Sequence, residues 1–428
     1  MADLSVDFCG IKSPNPFWLA SAPPTNTGDQ IMRAFDVGWG GAVWKTLGQP
    51  IVNVSSRYSS LDYGGHRMMG LNNIELITDR PLDVSFREIS QVKKRYPKHA
   101  LVVSLMVESK REIWHDMVRR AEDAGADGLE LNFGCPHGMS ERGMGSAVGQ
   151  VPEYTRQIVE WVKEVAKTPV IVKLTPNITD VSFPARAAKQ GGADAVSLIN
   201  TINSVTGIDL DTFVPRPMVH GASAHGGYCG PAVKPIALAM VAQVAQAVDL
   251  PISGIGGIGS WRDAVEFILL GAKTVQVCTA VMHHGFRIVL DMIDGLSSYL
   301  DQKGISSVAD LCGRSLPAYK RWDQLNLNYR VIAHIDQEKC IGCGVCYAAC
   351  QDGAHQAIDA RPDARGRTHV EILSHKCVGC NLCSLVCPVE HCITMQRIDE
   401  FGDERLTWPE YSKNPSLSPH IRSNRHDA

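Results

Sequence analysis

Cys340-Ile-Gly-Cys343-Gly-Val-Cys346-Tyr-Ala-Ala-Cys350 and Cys377-Val-Gly-Cys380-Asn-Leu-Cys383-Ser-Leu-Val-Cys387-Pro388 carry one spacing twice, C-x2-C-x2-C-x3-C. In such a pair of runs, three cysteines grip one [4Fe–4S] cube and the fourth ligates the other. The spacing assigns Cys340, Cys343, Cys346 and Cys387 to one cube, and Cys377, Cys380, Cys383 and Cys350 to a second. Gly342 and Gly379 suit tight turns that bring backbone N–H groups close to cluster sulfides. A small α+β module holding two clusters is expected here, over residues 333–400.

Zinc and disulfides are the competing readings. Zinc is satisfied by paired C-x2-C units and gives no reason for a third and fourth cysteine at fixed offsets, twice. Disulfides need an oxidising compartment. The opening Met1-Ala2-Asp3 lacks the basic start and apolar stretch of a signal peptide, which predicts a cytoplasmic location. Fourteen cysteines leave six outside the runs: Cys9, Cys135, Cys229, Cys278, Cys312 and Cys392. Buried free thiols are ordinary in a reducing cytosol, so most of these are expected as core residues.

At 428 residues the chain exceeds one cluster module, and roughly two or three domains are expected. A net charge of −3 argues against a nucleic-acid partner, and no apolar run approaches the ~20 residues of a membrane span. The tail over 401–428 reads as a disordered end or a strap over a partner.

Residues 1–310 alternate short apolar runs with helix-like stretches. The runs are 17–22, 41–46, 101–106, 128–133, 170–175, 195–201, 251–257 and 274–282. Near-continuous apolar strands alternating with helices imply a parallel sheet covered on both faces. Eight such units fit a (β/α)8 TIM barrel; an open doubly wound sheet is the alternative. A linker over 311–332 joins the barrel to the cluster module.

Several runs end in polar residues: Lys45, Ser104, Asn132, Lys173 and Asn200. Barrel enzymes place their chemistry at the C-terminal strand ends, so these side chains read as one lining. Loops over 48–80, 135–151 and 202–231 are expected to supply a lid and substrate contacts. Gly254-Ile-Gly256-Gly257-Ile-Gly259 matches G-x-G-x-x-G, but the next strand lacks the acidic residue a nicotinamide site needs. A glycine turn after strand seven, with Gln276-Val-Cys-Thr279 on strand eight, fits a barrel phosphate site instead. Gly38-Trp-Gly-Gly41 reads as a plain turn.

Asn132-Phe-Gly-Cys135-Pro-His137-Gly138 ends strand four and enters a glycine-rich loop. A thiol at that face can reach substrate, and with an ordinary pKa near ~8.5 it is a workable general acid. A loop cysteine that merely packs, or a nucleophile assisted by His137, are the other readings. Clusters carry single electrons, whereas most metabolic redox steps move two; flavin bridges that mismatch. A barrel with a phosphate site, basic strand ends and a proton-donating cysteine is consistent with FMN.

Asn15-Pro-Phe-Trp-Leu-Ala-Ser-Ala22, Trp44-Lys-Thr46, Leu71-Asn-Asn-Ile-Glu-Leu-Ile77 and Glu130-Leu-Asn-Phe-Gly-Cys-Pro-His-Gly138 resemble the dihydropyrimidine dehydrogenases. So do Glu141-Arg-Gly-Met-Gly145, Val172-Lys-Leu-Thr-Pro-Asn177, Ile199-Asn-Thr201 and Gln276-Val-Cys278. The resemblance spans the barrel and the bacterial-type 2[4Fe-4S] ferredoxin module. It is to the two-subunit bacterial form, whose other subunit carries FAD, the NAD(H) site and further clusters. It implies a heteromer, a heterotetramer with that partner, and no NAD(H) or FAD site in this chain.

By position, the resemblance makes Cys135 the residue that exchanges a proton at C5 of uracil or thymine while FMN exchanges hydride at C6. Ser21, Lys45, Thr46, Lys173, Gly230, Gly256, Gly257, Cys278 and Thr279 would hold FMN. Asn73, Asn132, Asn200 and Thr201 would bond the amide edges of the ring, with Gly134 beside them where serine is the expectation. A dihydroorotate-type dehydrogenase, and an electron-transfer subunit without its own substrate, are the alternatives.

Overall fold

In the computed structural model, which describes residues 2–52, 55–325, 329–362, 368–400 and 413, the chain opens with a hairpin. Its strands are β1 (Val6–Phe8) and β2 (Ile11–Ser13). Next come β3 (Phe17–Leu19), α1 (Gly28–Val37), β4 (Gly41–Leu47), β5 (Tyr58–Tyr63), β6 (His66–Asn73), α2 (Leu82–Arg95), β7 (Ala100–Leu105) and α3 (Arg111–Asp123). They are followed by β8 (Gly128–Asn132), α4 (Ser146–Gly149), α5 (Pro152–Lys163), β9 (Val170–Lys173), α6 (Ser182–Gln190), β10 (Ala195–Leu198), β11 (Ile202–Ser204) and β12 (Gly226–Cys229). The unit ends with α7 (Lys234–Ala247), β13 (Ile252–Ile255), α8 (Trp261–Leu269), β14 (Ala272–Val277), α9 (Thr279–His284) and α10 (Ile288–Lys303).

Strands β3, β4, β7, β8, β9, β10, β13 and β14 close into one parallel barrel, which removes the open-sheet alternative. Each of the eight apolar runs contributes one strand. Strand β8 is buried along its whole length, as a strand covered on both faces requires. The helices turn one apolar stripe inward: α3 buries Trp114, Met117, Val118 and Ala121, at the i, i+3, i+4, i+7 spacing of one helix face. Boundaries follow local chemistry. Thr27 and Gln30 cap α1 reciprocally, and Gly38 ends it in the left-handed region at φ 116.

The β1–β2 hairpin closes the N-terminal mouth of the barrel. Phe8 and Ile11 pack on Trp18, Val43, Val102 and Ile171, and the Phe8 and Trp18 rings meet edge to face at 5.6 Å. Sealing that end leaves the C-terminal end as the open one.

Two expectations need correction. The run over 274–282 is not one strand: β14 stops at Val277, and residues 279–284 form α9. Thr279 therefore starts a helix, because Cys278, at φ −127 and ψ −75, turns the chain out of the sheet. Second, the loops over 48–80 and 202–231 are not irregular. They pair as a four-stranded antiparallel sheet in the order β11-β12-β6-β5. Gly64 and Gly65, both at positive φ, make the tight β5–β6 turn, and Gly70 is bare because a Cβ there would lie 1.8 Å from the Tyr228 hydroxyl.

The chain divides into compact units at Tyr319/Lys320. Residues 313–319 bond to the first unit, through Gly313 N–H to the Ile268 carbonyl and Gln246 Nε2 to the Tyr319 carbonyl. The second unit holds β15 (Tyr329–Ile335), α11 (Val345–Gln351), β16 (Ile358–Pro362), β17 (Thr368–Ile372), α12 (Leu382–Leu385) and β18 (Ile393–Glu400). Strands β15 and β18 pair antiparallel, as do β16 and β17, around a core of Ala333, Ile335, Ile358, Val370 and Ile393. The tail over 401–428 lies outside the described residues apart from Lys413.

Candidate active site and cluster cavities

One cleft opens at the C-terminal ends of the barrel strands. Ser21, Lys45, Thr46, Asn73, Asn132, Cys135, Lys173, Asn200, Thr201, Gly230, Gly256, Gly257, Cys278 and Thr279 all line it. Gly134 stands just behind the wall.

A hydrogen-bonded belt links successive strand ends. The Ser21 hydroxyl meets that of Thr46 at 3.1 Å, and Thr46 meets Ser104 at 2.9 Å. Asn132 donates through Nδ2 to Thr46 at 3.0 Å, and Asn200 donates to Asn132 Oδ1 at 2.9 Å. The belt thus runs from the end of β3 past β4, β7 and β8 to the residues after β10. Gly134 has a steric reason: a Cβ there would lie 2.4 Å from the Asn200 Cβ. The absent side chain lets Asn200 reach Asn132.

Two acidic residues that motif reading missed control the charge. Glu130, fully buried on β8, faces Lys173 at 3.4 Å and accepts from Ser197 at 2.8 Å and Gln276 at 3.1 Å. Glu75, just after β6, pairs with Lys45 at 2.5 Å and Arg57 at 3.2 Å and accepts from the Tyr58 hydroxyl. A carboxylate inside an otherwise apolar strand run was the available signal for Glu130, since such a charge is not buried without a partner.

Cys135 is buried against Ile77, Met106, Met139 and Met144 on its loop side. Burial pushes its thiol up to about 11; a backbone hydrogen bond from His137 and the charge of Lys173 pull the other way. His137 is fixed by Nε2 to the Glu75 carbonyl at 2.8 Å, and burial holds its pKa below the ordinary value. That bond anchors the ring to the segment just after β6.

Across the cleft, Gly256 and Gly257 follow β13 at φ 131 and 74, and a Cβ on Gly257 would lie 2.9 Å from the Gly230 carbonyl. The backbone N–H groups of Gly256, Gly257, Cys278 and Thr279 have no backbone partner among the described residues. Free N–H groups on a positive-φ glycine turn make an anion-accepting concavity.

In the second unit, one small cavity is lined by Cys340, Cys343, Cys346 and Cys387, with Cys392 beside them. The other is lined by Cys350, Cys377, Cys380 and Cys383. The crossing of the fourth cysteine inferred from spacing is the arrangement found. Among the described residues no three His, Cys, Asp or Glu side chains converge on a point that could hold a single metal ion. The thiols stand around a volume instead, as a cube demands and tetrahedral zinc does not.

A polar-lined cleft at the strand ends of a barrel, in one chain with paired four-thiol cavities, defines an iron–sulfur oxidoreductase. A family model for dihydroorotate dehydrogenase matches residues 3–300, and one for a 4Fe-4S dicluster domain matches residues 333–395. The chain belongs to the dihydroorotate dehydrogenase family. It is 44% identical over 361 residues to the NAD-dependent dihydropyrimidine dehydrogenase subunit PreA of Escherichia coli (strain K12), covering 83% of this chain and 87% of that one. It is 43% identical over 328 residues to the chloroplastic dihydropyrimidine dehydrogenase (NADP(+)) of Arabidopsis thaliana, covering 73% and 77%. The catalytic subunit of dihydroorotate dehydrogenase B (NAD(+)) from Pyrococcus abyssi is 38% identical over 317 residues, covering 73% and 99%. The resemblance drawn from the barrel motifs therefore holds.

The family binds FMN, and the dicluster domain binds iron–sulfur clusters. The residues present fit both: unpartnered N–H groups at Gly256, Gly257, Cys278 and Thr279 suit a phosphate, and each cavity offers four thiols. No described helix is long and apolar enough to cross a membrane.

Proposed function

We propose that this chain interconverts uracil or thymine with the 5,6-dihydro base and passes electrons through two [4Fe-4S] clusters to or from an NAD(H)- and FAD-binding partner subunit. The observation that carries the reading is the belt of neutral amides and hydroxyls facing a buried thiol in one cleft. Amide side chains offer both donor and acceptor, matching the alternating N–H and C=O edge of a pyrimidine. Both lysines lining the cleft already face carboxylates, Lys45 with Glu75 and Lys173 with Glu130. That charge balance suits an uncharged ring better than the carboxylate of orotate.

Ser21, Lys45, Thr46, Lys173, Gly230, Gly256, Gly257, Cys278 and Thr279 would hold FMN, whose chemistry when bound is hydride exchange at C6. Asn73, Asn132, Asn200 and Thr201 orient the ring so that C5 meets Cys135. In the reducing direction Cys135 gives its proton to C5 as hydride arrives at C6; in the oxidising direction its thiolate takes that proton back. A thiol pushed up to about 11 is fully protonated near neutrality, so the resting site is set to donate. Taking the proton back needs the Lys173 charge to stabilise the thiolate. Lys173 would likewise favour an electron-rich flavin ring.

Cys135→Ala tests the assignment. FMN and iron content should be unchanged while turnover of dihydrouracil collapses; retained turnover removes Cys135 from the chemistry. Purified without its partner, the chain should reduce artificial dyes and leave NAD(H) untouched.

A further inference from the structure

The two cluster cavities share a local backbone pattern in which one buried wall residue differs. In each, a residue at positive φ precedes a buried wall residue and then an isoleucine that opens a strand. These are Gln356 (φ 55), Ala357 and Ile358 in one, and His391 (φ 56), Cys392 and Ile393 in the other. The backbone equivalence is close. The Ala357 carbonyl accepts from Leu373 N–H and the Cys392 carbonyl from Asp336 N–H, both at 2.8 Å. Each donor lies four residues before the first cysteine of its run, Cys377 or Cys340. Where one cavity has a methyl group, the other has a fifth thiol.

Cys392 is buried, and its thiol faces those of Cys387 and Cys340. Its one other polar contact among those described is the Asp336 carbonyl at 3.7 Å, a weak S–H···O interaction. Donation to the anionic sulfur shell of a cluster is charge-assisted and stronger. Hydrogen bonds to cluster sulfur stabilise the added electron and raise the potential.

Resting on the two-cluster reading above, we infer that Cys392 is a positioning residue that separates the potentials of the two clusters. By donating its thiol hydrogen, it makes the cluster held by Cys340, Cys343, Cys346 and Cys387 the easier one to reduce. Electrons then have a preferred resting place within the module, set by one side chain that is not a ligand.

The test is an EPR-monitored redox titration of the full, cluster-loaded chain. Cys392→Ala should keep about eight irons per chain. It should shift one cluster toward its oxidised form by about tenfold at fixed poise, which is ~59 mV for a one-electron couple. Cys392→Ser, which keeps a donor, should restore most of the shift, and Ala357→Cys should raise the other cluster. Unchanged potentials with full iron overturn the inference. So does loss of iron in Cys392→Ala, which would make the residue structural. About four irons in the unsubstituted chain would instead refute the two-cluster reading beneath it.

Discussion

Lys173, at the end of β9, and Glu130, in the middle of the neighbouring strand β8, face each other at 3.4 Å, both side chains almost wholly out of solvent. The pair fixes one of the two lysines that line the cleft. Ser197 and Gln276 hold the carboxylate from the other side, so the lysine is positioned by a network reaching across the barrel interior.

Removing one partner of a buried pair leaves an uncompensated charge and costs about 3–5 kcal/mol. Glu130→Ala and Lys173→Met should each lower unfolding stability by that order, and the double variant should cost less than their sum. Denaturant titration of the three proteins measures it; strictly additive losses would mean the two charges do not interact.

Gly134→Ser should be destabilising, because its Cβ would meet Asn200 at 2.4 Å. Forcing side-chain volume into packed space costs about 1–3 kcal/mol. Asn200 must leave Asn132, so KM for the pyrimidine should rise as well. A serine variant with unchanged melting temperature and KM would show that Asn200 moves freely.

Cys135 should resist alkylation at neutral pH and react only as pH approaches its raised pKa of about 11. Iodoacetamide labelling read by mass spectrometry across pH 7 to pH 11 gives the profile. Rapid labelling at pH 7 would mean the thiol is neither buried nor high in pKa.

The His137 pKa is held low, chiefly by burial, so the folded loop takes up a proton less readily than the unfolded chain does. Its contribution to stability is complete above the unfolded histidine pKa of ~6.5 and is lost as pH falls through the lower folded value. Amide exchange in residues 134–146, corrected for intrinsic rates, should therefore speed up at pH 5.5 relative to pH 8. The acceleration should disappear in His137→Asn; a pH response that persists there would place the sensor elsewhere.

Much of this architecture was legible in the residues. Strands covered on both faces leave near-continuous apolar runs, so β8 and β9 could be read directly, and their polar ends Asn132 and Lys173 fell at the open mouth. Cluster cysteines sit at fixed offsets, so even the crossing of Cys350 and Cys387 followed from spacing. The lid sheet was not read, because β5 is almost wholly exposed and carries no apolar alternation. Its signal was the Gly64-Gly65 pair, which makes the hairpin turn. The break after Val277 was hidden because residues 278–282 are as apolar as the strand before them. Glu75 and Glu130 were missed because their work is done on neighbouring lysines.

An anaerobic half-reaction tests the substrate and the proton donor together. The flavin of the cluster-loaded chain is reduced, the base is added, and reoxidation is followed by absorbance. Uracil or thymine should reoxidise the unsubstituted protein, orotate should not, and Cys135→Ala should be slow with all three. Reoxidation by orotate with no response to uracil or thymine, or undiminished rates in Cys135→Ala, would contradict the proposed reaction.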